Sequence, residues 1–203
     1  MKYLVLLCLG VLAGCAARPS VTVPATLPNY IAPTEGAVAS LQIRSNQVAG
    51  VGVFSSFEDQ RACKGIRMIA NTKTTQNQLK ASTTLRADEP ASLWFAYVGP
   101  GNRLCNVAMT FKPVKGRNYL ALANATDVAC AIALQDISDP SNPKQEPTRF
   151  ARTVVLTGRE SAHCAAVDVD AELTKVRRPN LSGLRMDDLK ALLPAAPPAE
   201  AAK

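Results

Sequence analysis

The sequence predicts an all-β fold, an antiparallel β-sandwich, over residues 37–169. Three observations lead to this prediction. Short apolar or alternating runs recur along this region and are separated by turn residues, as at Gly99-Pro100-Gly101-Asn102 and Val114-Lys115-Gly116-Arg117. None of these runs carries the three-to-four spacing of a helical apolar stripe. The region holds roughly 130 residues, which suits a sandwich of about seven to ten strands.

Ten strands are predicted in chain order, each from its own apolar or alternating run. They cover residues 37–43, 48–57, 65–70, 80–86, 92–98, 104–112, 118–124, 128–136, 149–156 and 164–169. The alternation is clearest in 104–112 and 128–136, where every second residue is large and apolar. Successive side chains of a strand point to opposite faces, so Cys105 and Cys130 are predicted to face the core.

The run Ser92–Val98 is apolar on both of its faces and contains Trp94. One interpretation is a central strand that is covered on both sides. The other is an exposed aromatic patch that binds a glycan or a partner protein. The sequence favours the central strand, because runs that are buried on both faces are continuous rather than alternating.

The N-terminus has the pattern of an export signal. A lysine at position 2 precedes an apolar run, Leu4–Leu12, which is about half the length needed to span a bilayer. The tetrad Leu12-Ala13-Gly14-Cys15 that follows resembles the lipobox of bacterial lipoproteins. The resemblance implies a signal peptide over residues 1–14, cleavage before Cys15 and lipid on Cys15. Ala16 follows in place of the aspartate that commonly retains lipoproteins at the inner membrane, so the outer membrane facing the periplasm is expected.

Residues 15–36 contain four prolines, Pro19, Pro24, Pro28 and Pro33, among small and hydroxyl side chains. Proline at this spacing prevents a helix and favours an extended, semi-rigid chain. The segment is therefore predicted to be a lipidated tether with a reach of about 60 Å when fully extended.

Four cysteines remain after the signal peptide and the lipidated position, and an even number in an exported chain predicts two disulfides. The core-facing pair Cys105 and Cys130 is matched together. Cys63 is predicted to lie in a polar loop, and Cys164 on the outward face of a strand with Asp168 and Asp170, so these two are matched as the second pair. The other connectivities remain open, because bonding depends on the distance between the two backbones.

After residue 169 the chain changes character. Residues 170–203 are predicted to form a polar linker, a short helix over 185–193 and a disordered tail. The apolar stripe of this segment consists of Leu184, Leu189, Leu192 and Leu193. A helix this short needs a surface to pack against. That surface is either the chain's own sandwich, which is favoured, or a groove on an envelope protein.

Sequence motifs of the common catalytic and phosphate-binding sites are absent. Neither a nucleophile elbow, nor an HExxH helix, nor a glycine-rich phosphate loop occurs. His163 and Cys164 are neighbours on a predicted strand and would point to opposite faces. The acidic sets Asp168-Asp170-Glu172 and Asp136-Asp139 lack the compact pattern of a calcium loop. We expect no cofactor and no metal site.

The charge of the whole chain is +7, spread from end to end without a cluster. Export and the absence of a recognition motif make nucleic acid a poor partner. The sequence therefore predicts a membrane-anchored envelope lipoprotein that is not an enzyme and that acts as an interaction or accessory module. Two alternatives remain. One is a component of a secretion or assembly machine that docks through the C-terminal helix. The other is a ligand-binding protein or enzyme whose site assembles from distant residues.

Overall fold

A computed structural model of the chain describes residues 27–47, 50–72, 78–126, 129–157 and 162–175. The predicted signal peptide, Cys15 and the predicted helix 185–193 lie outside these residues. Two five-stranded sheets pack face to face, with strand orders β4-β1-β7-β8-β9 and β10-β6-β5-β2-β3, and a β11-β12 hairpin adds a small third sheet. The predicted all-β sandwich is confirmed.

The elements follow the chain in this order: β1 Val38–Gln47, β2 Val51–Asp59, β3 Lys64–Asn71, β4 Gln78–Arg86, β5 Ala91–Val98, β6 Leu104–Phe111, β7 Asn118–Ala125, β8 Cys130–Asp136, β9 Lys144–Gln145, β10 Phe150–Arg152, β11 Val154–Leu156, β12 Ala162–Cys164 and α1 Val169–Thr174. α1, the α-helix of the described residues, has six residues and is too short to span a bilayer.

The main core lies between the two sheets and is built by period-two alternation. Inward-facing side chains from both sheets interlock there, and the largest that are fully buried are Phe54, Phe95, Tyr97, Phe111 and Tyr119. The rings of Phe111 and Tyr119 meet edge to face with centroids 5.2 Å apart. This pair joins the end of β6 to the start of β7, and therefore one sheet to the other.

One strand pairing differs from the antiparallel prediction. β1 and β7 run parallel along their whole shared length, from Ser40 opposite Asn118 to Gln47 opposite Ala125. The other pairings of the two sheets are antiparallel. A parallel pair requires a long connection, and the chain supplies it because β2 to β6 lie between these two strands in sequence.

Two strands predicted in the C-terminal part of the sandwich, 149–156 and 164–169, differ from the structure. The predicted strand 149–156 divides at Thr153 into β10 and β11, which belong to different sheets. The predicted strand 164–169 is not a strand beyond Cys164. Asp168 accepts a hydrogen bond from the amide of Ala171 (3.1 Å) and thereby caps α1 at its N-terminus. The alternation of Asp168 and Asp170 therefore reflects a helix start.

The proline-rich segment does not end at residue 36 as a free tether. Residues 27–36, which we call the strap, lie across the open side of the sandwich between the edge strands β3 and β4. The amide of Tyr30 donates to the carbonyl of Met68 and the amide of Met68 donates to the carbonyl of Pro28, each at 2.8 Å. The Tyr30 hydroxyl donates to the Thr84 carbonyl on β4 at 3.1 Å. The strap thus occupies exposed edge groups of both sheets.

A second core covers the outer face of the β2-β5-β6 sheet. Trp94, Ala96 and Ala108 point away from the main core and are buried beneath β11, β12 and the start of the strap. Further along, Phe150 of β10 packs against Val169 and Leu173 of α1. Residues 154–157 and 162–175, which we call the cap, therefore form a layer over one sheet.

Candidate functional site

A groove of about 560 Å³ lies at one end of the sandwich, beside the strap. We call it the strap groove. Its floor consists of Phe57, Leu85 and Ala91, three core residues at the ends of β2, β4 and β5. The strap forms one wall with Tyr30, and its neighbours Ile31, Ala32, Pro33 and Thr34 also line the groove. The groove therefore has an apolar base built on rigid strands.

The rim of the strap groove is charged and locally negative. Three carboxylates, Glu35, Glu58 and Glu89, and two guanidinium groups, Arg67 and Arg86, line it. Glu58 and Arg67 form an ion pair on adjacent strands. The remaining rim groups carry two negative charges against one positive charge, on a chain whose overall charge is +7. Burial raises the pKa of Tyr30, and the nearby charge of Arg86 opposes that rise, so Tyr30 is a neutral hydrogen-bond donor at neutral pH.

Ile31 is the most exposed large apolar side chain of the described residues, at 86%. Its neighbour Tyr30 is held in place on both sides by hydrogen bonds to Met68 and Thr84. The strap therefore presents Ile31 to solvent from a fixed backbone next to the groove. A single exposed isoleucine is common on protein surfaces, but here it adjoins a concave apolar surface.

The two disulfides join Cys63 to Cys164 and Cys105 to Cys130, with Cα–Cα distances of 5.2 and 6.0 Å. This is the connectivity that matching by environment selected. Cys105 and Cys130 pack against the main core, as the alternation predicted, and link β6 of one sheet to β8 of the other. The environment predicted for the other pair was wrong. Cys63 and Cys164 are buried in the second core, because the cap lies over the β2–β3 turn.

The β2–β3 turn holds the cap through several contacts besides the disulfide. Asp59 accepts hydrogen bonds from the amides of Arg61 and Ala62, at 3.0 and 2.9 Å, which shapes the turn. Cys63 then adopts the left-handed conformation, with φ 56°. The amide of Cys164 donates to the carbonyl of Ala62 at 2.8 Å. The turn and the cap are therefore joined at one point, by a backbone hydrogen bond and by the Cys63–Cys164 disulfide.

Arg152 is a buried cation next to this turn. Its guanidinium donates to the Arg61 carbonyl at 2.8 Å and to the Thr110 hydroxyl at 3.3 Å, and it lies 5.6 Å from the centre of the Phe150 ring. Its Nε has no hydrogen-bond partner. Burial lowers the pKa of Arg152. Among the described residues no carboxylate pairs with Arg152. Its hydrogen bonds instead link β10 to the β2–β3 turn.

A chain of hydroxyl groups continues from Arg152 across the sheet. The Thr110 and Ser92 hydroxyls lie 2.7 Å apart, and Ser92 also donates to the carbonyl of Gln60 at 2.6 Å. The Gln60 side chain accepts from the amide of Ser92 at 2.7 Å. Ser92 and Thr110 are buried, Gln60 is half-buried, and their polar groups satisfy one another. The sequence analysis did not single out Gln60, Thr110 or Arg152, because polar residues that pair across strands leave no local signature.

The acidic residues weighed as calcium ligands have other partners. Asp170 forms an ion pair with Arg61, and Asp168 caps α1. Asp136 pairs with Arg117, and Asp139 accepts from the amide of Ser141 at 3.0 Å. Burial of Asp136 opposes its ionisation, but hydrogen bonds from Ser138 and Arg117 outweigh burial and lower its pKa. No group of three or more potential metal ligands occurs within the described ranges.

The strand around Trp94 has a structural role. Residues 91–97 of β5 are buried on both faces, by the main core on one side and by the second core on the other. The central-strand interpretation is therefore confirmed, and the aromatic patch is not at the surface. His163 lies on β12 opposite Val155 and is half-buried. It does not share a described pocket with another candidate catalytic group.

Comparisons with known proteins yield a distant structural likeness. No protein-family model matches the sequence, and no curated protein is significantly similar to it. A solved structure of a candidate cell adhesion protein from Bacteroides uniformis is 15% identical, with a TM-score of 0.30. The alignment covers 54% of this chain and 50% of that chain. The chain therefore matches about half the length of that protein.

Proposed function

We propose that this protein is a non-enzymatic interaction module of the bacterial cell envelope, anchored by lipid on Cys15 and facing the periplasm from the outer membrane. The observation that carries the proposal is the tetrad Leu12-Ala13-Gly14-Cys15 at the end of a short apolar run. Several acyl chains on one cysteine provide stable anchoring, which a single chain does not. The two disulfides agree with an oxidising compartment.

The proposal of a non-enzymatic role is supported by how the described charged groups are used. Arg61, Arg117 and Asp170 are engaged in surface ion pairs, and Asp168 serves as a helix cap. The buried cation Arg152 donates to scaffold groups. Charged groups also line the strap groove, but the groups named here are dispersed around the sandwich and support its loops.

The strap groove is the contact surface that we propose for a partner. The projecting Ile31 and the half-buried Ala32 and Pro33 beside it suit an apolar side chain, and the negative rim suits a neighbouring lysine or arginine. The expected occupant is therefore a segment of an envelope protein with a cation beside an apolar residue. The strap begins only 12 residues after Cys15, so the groove is the described surface with the shortest chain connection to the anchor.

Anchoring is tested by the Cys15→Ser variant. We expect it to remain unprocessed, to lack the mobility shift of the lipidated form and to be lost from the outer-membrane fraction. Wild-type protein should stay in the outer-membrane fraction and dissolve only in detergent. Normal processing and membrane retention of the variant would contradict the anchor.

The contact surface is tested by a photo-crosslinking residue placed at Ile31 in living cells. The matched control is the same residue at Val167, an exposed apolar position on the cap (46% exposed). We expect an adduct of defined mass from position 31 and none from 167, and Glu35→Lys combined with Glu89→Lys should weaken the adduct. Adducts of equal yield from both positions, or from neither, would overturn the groove as the contact surface while leaving the anchor untouched.

A further inference from the structure

The two disulfides differ in their exposure to solvent. Cys63 and Cys164 are 0% and 7% exposed and belong to the second core. Cys105 and Cys130 pack against the main core but are only half-buried. A thiol reagent has to reach a sulfur atom before it can open a disulfide, so access decides which disulfide reacts. The Cys105–Cys130 disulfide is therefore the more accessible of the two in the folded protein.

Cys105 lines a pocket of about 400 Å³ at the end of the sandwich opposite the strap groove. Tyr97, which lies directly opposite Cys105 on β5, also lines this pocket. The Tyr97 ring is in close contact with two glycines. A Cβ atom at Gly50 or at Gly99 would lie 2.6 or 3.0 Å from a carbon of the ring. The tyrosine therefore has a fixed position, and Cys105 lies beside a preformed wall.

The electrostatics of the pocket favour thiolate chemistry. Arg103, two residues before Cys105, contributes a cation to the lining, and Thr126 contributes a hydroxyl group. None of the described lining residues carries a carboxylate. A nearby cation stabilises a thiolate, and a thiolate that is stabilised in this way also leaves a disulfide faster. The pocket therefore favours both an attacking and a leaving thiolate.

We propose that the Cys105–Cys130 disulfide is a site of thiol–disulfide exchange that reacts with small dithiols bound in this pocket. The thiolate of the dithiol attacks Sγ of Cys105, the bond between the two cysteine sulfurs breaks, and Sγ of Cys130 leaves as a thiolate and takes up a proton. The second thiol of the reagent then attacks the mixed disulfide and releases Cys105 as a thiol. The reagent is oxidised to its cyclic disulfide, and the protein gains two electrons and two protons.

Exchange at this site acts on the link between the two sheets. The Cys105–Cys130 disulfide joins β6 of one sheet to β8 of the other, whereas the Cys63–Cys164 disulfide joins the β2–β3 turn to the cap. Reduction in the pocket therefore releases the covalent link between the sheets and leaves the cap attached. The inference rests on the folded domain alone and does not depend on lipid at Cys15.

The order in which the two disulfides open tests the proposal. The full chain in detergent is exposed to dithiothreitol for increasing times, free thiols are alkylated with iodoacetamide, and the modified cysteines are identified by peptide mass. Cys105 and Cys130 should be alkylated at least roughly tenfold faster than Cys63 and Cys164, while circular dichroism and Trp94 emission remain those of the folded protein. Equal rates, earlier opening of Cys63–Cys164, or thiols that appear only as the folded signals are lost would overturn the proposal.

A charge variant tests the contribution of the pocket. Arg103→Glu should slow the opening of Cys105–Cys130 by at least roughly threefold, because it places a negative charge beside both thiolates. The matched control is Lys115→Glu, on the β6–β7 turn at the other end of the sandwich, which should leave the rate unchanged. Equal rates for the two variants would overturn the pocket as the site of attack.

Variants with one cysteine of the pair identify the sulfur that is attacked. Cys130→Ser leaves a thiol at Cys105, which should form a mixed disulfide with oxidised glutathione. Cys105→Ser leaves a thiol at Cys130, which is not among the described residues that line the pocket, and it should react at least roughly fivefold more slowly. Non-reducing peptide maps verify that Cys63–Cys164 is intact in both variants. Faster reaction at Cys130 would overturn the assignment of Cys105.

Discussion

The guanidinium of Arg61 and the carboxylate of Asp170, 109 residues apart in sequence, form a two-point ion pair with both N···O distances at 2.9 Å. The pair joins the β2–β3 turn to the first turn of α1. The hydrogen bond from Arg61 lowers the pKa of Asp170. Both side chains are more than half exposed, so water and salt screen their attraction. The pair therefore orients α1, while the buried Cys63–Cys164 disulfide provides the stronger link.

Asp170→Asn should leave the melting temperature at pH 7 unchanged within error, because an exposed ion pair contributes little. The lowered pKa means that any contribution is present above the usual aspartate pKa and is lost as the pH falls through the folded-state value. Thermal melts at pH 7 and pH 3 check this. A drop of several degrees at pH 7 would show that the pair supports the cap directly.

Replacing Cys63 and Cys164 together by serine should loosen the cap. A disulfide that closes a loop of 101 residues contributes up to about 4.7 kcal/mol on chain-entropy arguments. Trp94, the only tryptophan of the chain, is buried in the same cluster, so its fluorescence emission should shift to longer wavelength.

The matched variant replaces Cys105 and Cys130, which close a loop of 25 residues and for which the same argument gives up to about 3.5 kcal/mol. It should lower the midpoint of urea unfolding without moving the emission of the folded protein, because Trp94 faces away from the main core. A red shift in this variant alone would contradict the arrangement of the two cores.

Arg152→Met should change the free energy of unfolding by less than about 1 kcal/mol. Methionine fills a similar volume and removes a buried cation that has no carboxylate partner, and this offsets the two lost hydrogen bonds. Arg152→Ala should cost about 2–3 kcal/mol more, because it leaves a cavity beside Phe150. Urea titrations of both variants measure the difference. Equal losses would mean that the charge, rather than the volume, matters at this position.

The Tyr119 hydroxyl should ionise only at an unusually high pH. Burial raises its pKa to about 12, and its hydroxyl accepts a hydrogen bond from the amide of Val114 at 3.0 Å. A raised folded-state pKa gives stability that is present below pH 10 and is lost as the pH rises towards 12. Tyr119→Phe should therefore show a shallower alkaline loss in urea titrations from pH 8 to pH 11.5. Parallel profiles for the two proteins would refute this.

The strap should contribute to the stability of the sandwich through Tyr30. Tyr30→Ala removes a ring that packs against the main core and a hydrogen bond to Thr84, and it should cost about 2 kcal/mol because the ring is half-buried. Ile31→Ala is the neighbouring control and should be silent in thermal melts, since Ile31 is 86% exposed. If both variants melt like the wild type, the strap does not support the edge strands.

The predictable part of the fold is the part in which neighbouring residues carry the information. In β6 and β8 the alternation predicted that Cys105 and Cys130 face the core, because the side-chain period of a strand is a local property. The parallel pairing of β1 with β7 was beyond prediction, since it depends on which strand edges meet after five intervening strands have folded. The same holds for the burial of Cys63 under a cap that follows about a hundred residues later.

Two errors arose where polar or proline-rich residues have two structural uses. Asp168 and Asp170 alternate as they would in a strand, but an aspartate can also begin a helix as its N-cap residue. The helix forms here because its residues Val169 and Leu173 pack on Phe150. Pro28 was part of a predicted free tether, but its carbonyl accepts a hydrogen bond from Met68. A proline lacks a donor and keeps its acceptor, so a proline-rich segment can still pair along a strand edge.

If lipid is attached at Cys15 as proposed, the docking of residues 27–36 on the domain limits how far from the membrane the domain can act. Only residues 16–26 then separate Cys15 from the folded domain, and eleven residues span at most about 35 Å. A partner that is bound at the strap groove must therefore lie in the same leaflet or within that height above it. Encounters would then be confined to a thin layer along the membrane, which raises the local concentration of a partner held in the same layer. A weak intrinsic affinity is sufficient under those conditions.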